Sequence, residues 1–141
     1  DFAPTLLDFA GLSIPEEMQG RSFKNTFTKS SDTKRNAVYY HYYEYPIWHN
    51  VQPHYGVRTD KYKLIHFYYS MDEWELYDMD ADPHEMNNIY ENADPELISK
   101  LKFKLDSLKK YYGDTSSIKD MISMTDTVIQ RVYNEPVKEI K

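Results

Sequence analysis

The sequence predicts an α+β fold: a small antiparallel sheet of about four strands with a long C-terminal helix packed on it, preceded by a short helix. Three observations carry this. Residues 37–78 contain successive runs in which large side chains alternate, joined by connections short enough for antiparallel pairing. Asp94-Pro95 then opens a stretch with leucines at helical spacing. The opening "DFAPTLLDFAG" is short, apolar along one side and closed by glycine.

Each element has a local reason. In the leading segment Pro4 suits a first turn, Phe2, Leu6 and Phe9 fall near one face, and Gly11 suits the stop. A helix so short is marginal alone, so it belongs against something larger. "LSIPEEMQGRSF" reads as a loop and "KNTFTKSSDTKRN" as a polar linker. "AVYYHYYEY", Ala37 to Tyr45, is a strand. It sends Val38, Tyr40, Tyr42 and Glu44 to one face and Tyr39, His41, Tyr43 and Tyr45 to the other. Pro46 ends it, because proline cannot donate to a ladder. After the loop "PIWHNVQP" comes a strand through Tyr55, Val57 and Thr59, then a turn at Asp60 and Lys61. The next strand puts Tyr62, Leu64, His66 and Tyr68 on one face and Lys63, Ile65, Phe67 and Tyr69 on the other, and "WELYD" makes a fourth.

"DPHEMNNIYE" predicts a helix, with Asp82 as N-cap, Pro83 at the first helical position and Glu85 completing a capping box. A longer helix follows Asp94, its stripe formed by Leu97, Leu101, Leu105, Leu108 and Tyr112 with Ile98 beside it, and Gly113 stops it. Ile118, Met121, Ile122, Thr125, Val128, Ile129 and Val132 repeat at three and four residues, which predicts a third helix ending before Pro136.

Composition narrows the function. The net charge is −6 and no basic stripe stands clear of carboxylates, so nucleic acid is excluded as a partner. No apolar run is long enough to span a bilayer and no leader pattern opens the sequence. With no cysteine, disulfides, zinc–thiolate sites and cysteine nucleophiles are absent from this sequence. Tyrosine is abundant, at 14 residues, which suits a wet-edged core and sugar docking.

Motifs for chemistry are weighed in turn. Asp78, Asp80 and Asp82 are spaced as at the start of a calcium loop. Pro83 stands where that loop needs glycine, however, and Ile89 where it needs a bidentate glutamate. No histidine pair has zinc-hydrolase spacing, and no nucleophile elbow or phosphate loop exists. His41 and His66 lie in strands and are read as packed, hydrogen-bonded groups. Arg58 can clamp an anion or pair with an acid across the sheet, the second being the expected arrangement. His49 and His54 flank a proline-containing loop beside Trp48 and Tyr55. Imidazole can donate to an anion or hydroxyl, and an indole face can stack on a sugar. An ordinary exposed loop accounts for His49 and His54 equally well, and these residues alone do not describe a complete active site.

Three stretches, "DFAPTLLDFAGLSIPEEMQGRSF", "HYGVRTDKYKLIHF" and "WELYDMDADPHEMNN", resemble in that order the C-terminal part of type I sulfatases of the alkaline-phosphatase superfamily. The resemblance covers about residues 1 to 112 and leaves out the tail after Gly113. It implies that residues 1–23 end an α/β catalytic domain lying upstream, 24–36 are a linker, 37–113 form the C-terminal α+β subdomain, and 114–141 are a tail, possibly helical. The implied activity is hydrolysis of a sulfate monoester, on a sulfated glycan or an aryl sulfate. It uses a formylglycine made from Cys or Ser in a Cys/Ser-x-Pro-x-Arg motif, with calcium neutralising the sulfate. This sequence has no cysteine and no serine with that continuation, so catalytic and metal-ligating residues are expected to be none here. The resemblance places Trp48, His49 and His54 in substrate recognition. It implies a periplasmic or extracellular parent and an upstream catalytic domain as partner; the leading helix and a sheet face that read as made to be covered predict self-association of the piece on its own. The alternative is a non-catalytic glycan-binding or protein-interaction module.

Overall fold

The computed structural model describes residues 1–27, 35–46 and 49–134. The chain divides into two compact units, Asp1–Asn36 and Ala37–Lys141.

The first unit holds α1 (Phe2–Phe9) and α2 (Lys24–Phe27). Gly11 follows α1 with φ +71°, a left-handed conformation that glycine adopts without penalty. The unit is tied by polar contacts at both ends of α1. Thr5 Oγ1 donates to the Asp1 carbonyl at 2.7 Å and accepts from the Phe23 amide at 3.0 Å. Asp8 accepts from Ser22 Oγ at 2.6 Å and from Lys24 Nζ at 3.1 Å. The polar stretch read as a linker therefore begins with a helical turn, because Phe27 packs on Phe9 and Phe23. Residues 28–34 of that stretch lie outside the described residues.

The second unit is the predicted sheet and helices. β1 (Ala37–Tyr42), β2 (His54–Thr59), β3 (Tyr62–Phe67) and β4 (Glu73–Asp78) pair antiparallel in sequence order. The register sets Tyr39 opposite Val57, Val57 opposite Leu64 and Leu64 opposite Leu76. One face thus carries Ala37, Tyr39, His41, Tyr55, Val57, Leu64, His66, Trp74 and Leu76, the faces that alternation assigns. α3 (Pro95–Tyr111) lies on it. Asp94 caps α3 by accepting from the Glu96 amide at 2.9 Å, and Gly113 at φ +73° ends it. Leu101 and Leu105 are buried against Val57, Leu64 and Leu76, with Leu97, Ile98 and Leu108 packed around them. α4 (Ile118–Asn134) adds Met121 to the same core and buries Thr125.

Two sequence readings are corrected. No helix starts at Asp82. The side chain of Asp82 accepts from the Asn87 amide at 2.7 Å, Glu85 takes φ +56° and pairs with Lys63, and the chain straightens beside β4. There Asn88 Oδ1 accepts from the Leu76 amide at 3.0 Å and the Ile89 amide donates to the Leu76 carbonyl at 2.9 Å, so pairing with the strand edge replaces the helix. Only a 3₁₀ turn, Tyr90–Asn92, follows in that stretch. Arg58 does not pair with an acid across the sheet, because its cross-strand neighbours are Val38 and Lys63; its Nε donates to the Thr59 carbonyl at 3.1 Å.

Leu105 is 1 % exposed and Phe103, on the outer side of α3, is 76 % exposed. Leu105→Ala is expected to cost about 3 kcal/mol in urea unfolding followed by circular dichroism, from lost transfer energy and the cavity left behind. Phe103→Ala in the same assay is expected to change stability by under about 0.5 kcal/mol.

Candidate functional site

The loop from Tyr43 to Pro53 leaves β1 and returns as β2, and the histidines singled out from the sequence meet at its base. His54 is the first residue of β2 and points to the face away from α3. Its Nδ1 donates to the Gln52 carbonyl at 2.8 Å. That bond fixes the proton on Nδ1, since a carbonyl can only accept. The ring lies between Tyr42, stacked at 5.4 Å, and Phe67 at 5.0 Å, with Tyr40 edge-on at 6.1 Å. Tyr40 lies across Gly56; a Cβ there would come within 2.7 Å of the tyrosine ring, so this glycine gives the aromatic its seat. His49 is 67 % exposed, with Nδ1 3.3 Å from the Tyr42 hydroxyl and 3.6 Å from Glu44 Oε2. Asn50 follows at φ +51°, a conformation asparagine tolerates well. Tyr42 thus touches both histidines. Trp48, the third predicted recognition residue, lies outside the described residues.

The opposite face holds a buried polar network. His41, its side chain 3 % exposed, has Nδ1 2.8 Å from Asp114 Oδ2 and Nε2 3.0 Å from the Tyr68 hydroxyl. Tyr39 donates to the same Asp114 oxygen, and Tyr43 stacks on His41 at 3.7 Å. His66 repeats the pattern: Nδ1 is 2.8 Å from the Tyr55 hydroxyl and Nε2 is 2.7 Å from Asp72 Oδ1. Trp74 stacks on His66 at 4.1 Å, and α3 sends Lys102 over Trp74 and Lys109 over Tyr55, each at 4.0 Å. His41 and His66 are the packed, hydrogen-bonded groups that the strand pattern predicts.

Environment sets the protonation states. Burial pushes both His41 and His66 down, and the facing carboxylates of Asp114 and Asp72 offset only part of it. Burial works to raise the Asp114 carboxyl, but hydrogen bonds from Tyr39 and His41 outweigh it and hold it below its ordinary range. Burial first, then neighbouring carboxylates, raises Tyr55 to about 12, and Tyr68 is raised to about 12 by burial, Tyr43 and Asp114. Among the described residues no group of three His, Cys, Asp or Glu side chains could hold a metal ion. Asp114 faces His41 from a largely buried side chain, and Asp72 faces His66 from an exposed one.

Sequence reasoning missed Asp114 and Asp72. They sit in connections, "GDTSS" and "SMDE", that carry no periodic signal, and Asp114 reaches a strand 73 residues away in sequence.

Comparison with known proteins decides the family. The family model for N-sulphoglucosamine sulphohydrolase, C-terminal, matches residues 1–111. The chain belongs to this family of sulfatase C-terminal regions. An N-acetylglucosamine-6-O-sulfatase of Bacteroides thetaiotaomicron is 52% identical over 118 residues, 81% of this chain and 21% of the relative. An N-acetylglucosamine-6-sulfatase of Bos taurus is 29% identical over 145 residues, 82% of this chain and 26% of the relative. A solved structure described as bound to its substrate, D-glucosamine-2-N,6-O-disulfate, superposes with a TM-score of 0.78 at 48% identity, over 84% of this chain and 25% of that one. The chain therefore spans about a fifth to a quarter of the length of these sulfatases. The family match ends at the last residue of α3, so α4 lies beyond it.

The pH response follows from the buried histidines. Their folded pKa values lie below the ordinary 6.5, so between those values the unfolded chain binds more protons. Stability is full above the ordinary value and is expected to fall as pH drops through the window beneath it. The urea midpoint is expected to be lower at about pH 5.5 than at about pH 7.5, and the double variant H41N/H66N to flatten that slope.

Proposed function

We propose that the protein containing this chain hydrolyses the sulfate monoester of a sulfated glycan of the glucosamine 6-sulfate type, and that this chain shapes one side of the substrate cleft. The observation that carries the reading is the 52% identity to an N-acetylglucosamine-6-O-sulfatase over most of the chain. The nucleophile and cation of such a reaction, a formylglycine and calcium, belong to the part of the protein upstream of this segment. Among the described residues no group of three His, Cys, Asp or Glu side chains could hold a metal ion, and the sequence has no cysteine. Trp48, His49 and His54 are the recognition residues. Exposed His49, held by Tyr42 and Glu44, faces solvent as a donor to an anionic or hydroxyl group. His54, with Nδ1 committed to Gln52, has only Nε2 to offer, which accepts from a sugar hydroxyl or amide when the ring is neutral.

The upstream catalytic domain is the partner of α1. Phe2, Leu6 and Phe9 recur along one side of that helix and are 78, 69 and 55 % exposed, an apolar stripe of the kind that marks a covered surface.

Expressed alone, the chain is expected not to turn over 4-nitrophenyl sulfate or glucosamine 6-sulfate, while the full-length protein does. Turnover by the chain alone sinks the division of labour. In the full-length protein His49→Ala is expected to raise KM for glucosamine 6-sulfate about tenfold with kcat little changed, the mark of lost ground-state binding. High affinity of the isolated chain for unsulfated glycans would instead favour the binding-module reading. Sedimentation is expected to show concentration-dependent self-association of the isolated chain that the variant F2S/L6S/F9S abolishes.

A further inference from the structure

Among the described residues between Tyr42 and His54, the loop that carries His49 has no strand or helix, and both of its ends are tied down. At the outgoing end Tyr43 stacks on His41, with its hydroxyl donating to Asp114 Oδ2 at 3.5 Å. Tyr45 packs on Tyr69 at 5.4 Å between ring centres. The Tyr69 hydroxyl in turn donates to Asp126 Oδ1 of α4 at 2.7 Å. At the returning end Pro53 is fully buried, its carbonyl accepts from the Tyr68 amide at 3.4 Å, and Gln52 Oε1 accepts from the Ser70 amide at 3.5 Å. Both ends therefore stand on residues 68–70 just after β3, and the Tyr69 side of that footing is held from α4.

α4 is itself fixed. Met121 and Thr125, one turn apart, are buried in the domain, and Thr125 Oγ1 donates to the Met121 carbonyl at 3.0 Å. Asp126 directly follows Thr125, so the buried turn brings its carboxylate to Tyr69. The hydrogen bond to Asp126, its largest influence, raises Tyr69 to about 12, which keeps the hydroxyl protonated and donating.

We propose that α4, an element beyond the family match, is a buttress for the recognition loop, with Asp126 a positioning residue that acts on His49 through Tyr69 and Tyr45. This rests on the reading of His49 and His54 as substrate contacts. It assigns α4 a part in specificity.

The test uses the full-length enzyme on glucosamine 6-sulfate, with His49→Ala as reference. Asp126→Ala is expected to raise KM about fivefold at unchanged kcat, and Tyr69→Phe to do the same. The double variant should be no worse than either single, because both remove one interaction. Asp126→Asn, whose amide oxygen still accepts from the tyrosine, should recover most of the loss. A KM unchanged in Asp126→Ala while His49→Ala raises it overturns the buttress and leaves the recognition reading standing. A kcat and melting temperature that fall together, unrescued by Asp126→Asn, also overturn it by showing a general structural role. If His49→Ala leaves KM unchanged, the recognition reading fails, and amide exchange in the 141-residue chain then decides the buttress alone. Faster exchange at Asn50 and Val51 in Asp126→Ala, with Val57 and Leu64 unmoved, supports it; equal exchange at all four overturns it.

Discussion

The core of this domain is short of aliphatic residues, and that constraint shapes the rest. Val57, Leu64, Leu76, Leu101 and Leu105 form a narrow apolar centre. Around it the layer between sheet and α3 is filled by Tyr39, His41, Tyr55, His66, Tyr68 and Trp74. Such rings bury large areas but bring polar tips with them, and an unmet tip inside costs about 1–3 kcal/mol. The tips on this side are met in two chains: Asp114–His41–Tyr68 on β1's side and Tyr55–His66–Asp72 on β4's side, meeting where Tyr55 and Tyr68 pack at 5.8 Å. Neither carboxylate belongs to the sheet. The α3–α4 and β3–β4 connections must therefore pass where they do, because each delivers an anion to a buried histidine.

Strand alternation separates this network from the face that carries His54. His41 and Tyr42 are adjacent in sequence, yet one is sealed under α3 and the other supports His49 and His54 on the far face. The buried histidines are pushed toward neutrality and held at both nitrogens, so neither can bind a ligand. The outer histidines keep a nitrogen or an exposed edge for one. The one buried side-chain oxygen among the described residues without a hydrogen-bond partner, the Tyr40 hydroxyl, also lies on the outer face.

What could be read in the sequence was whatever repeats. The period of two gave all four strands and the faces of β1 and β3, although β1 stops at Tyr42 and not at Tyr45, and the leucine stripe with Asp94 and Gly113 gave α3 from cap to stop. What could not be read was decided by distant partners. The Asp82-Pro83 start signal is a sound local preference, but Asn88 is worth more to the edge of β4, where it also donates to the Trp74 carbonyl at 3.2 Å. Asp114 looks like one more polar residue after a glycine until β1 folds beside it. His49 and His54 were legible as a pair flanking a loop; that Tyr42 joins them was not, since it needs the strand end and the loop to close on each other.

Charge limits how such a surface can act. The chain carries −6, so it adds no attractive long-range field for an anionic ligand. Under the proposed recognition reading, binding on this side comes from short-range contacts whose geometry is already set when the ligand arrives. A loop free to wander would lose that advantage to conformational entropy, roughly 1 kcal/mol or more for each residue ordered on binding. Burying Pro53 and tying Tyr43, Tyr45 and Gln52 to rigid neighbours meets that cost during folding instead. The same rings that let a small domain build a core from tyrosine thus also anchor the outgoing end of the loop that follows β1.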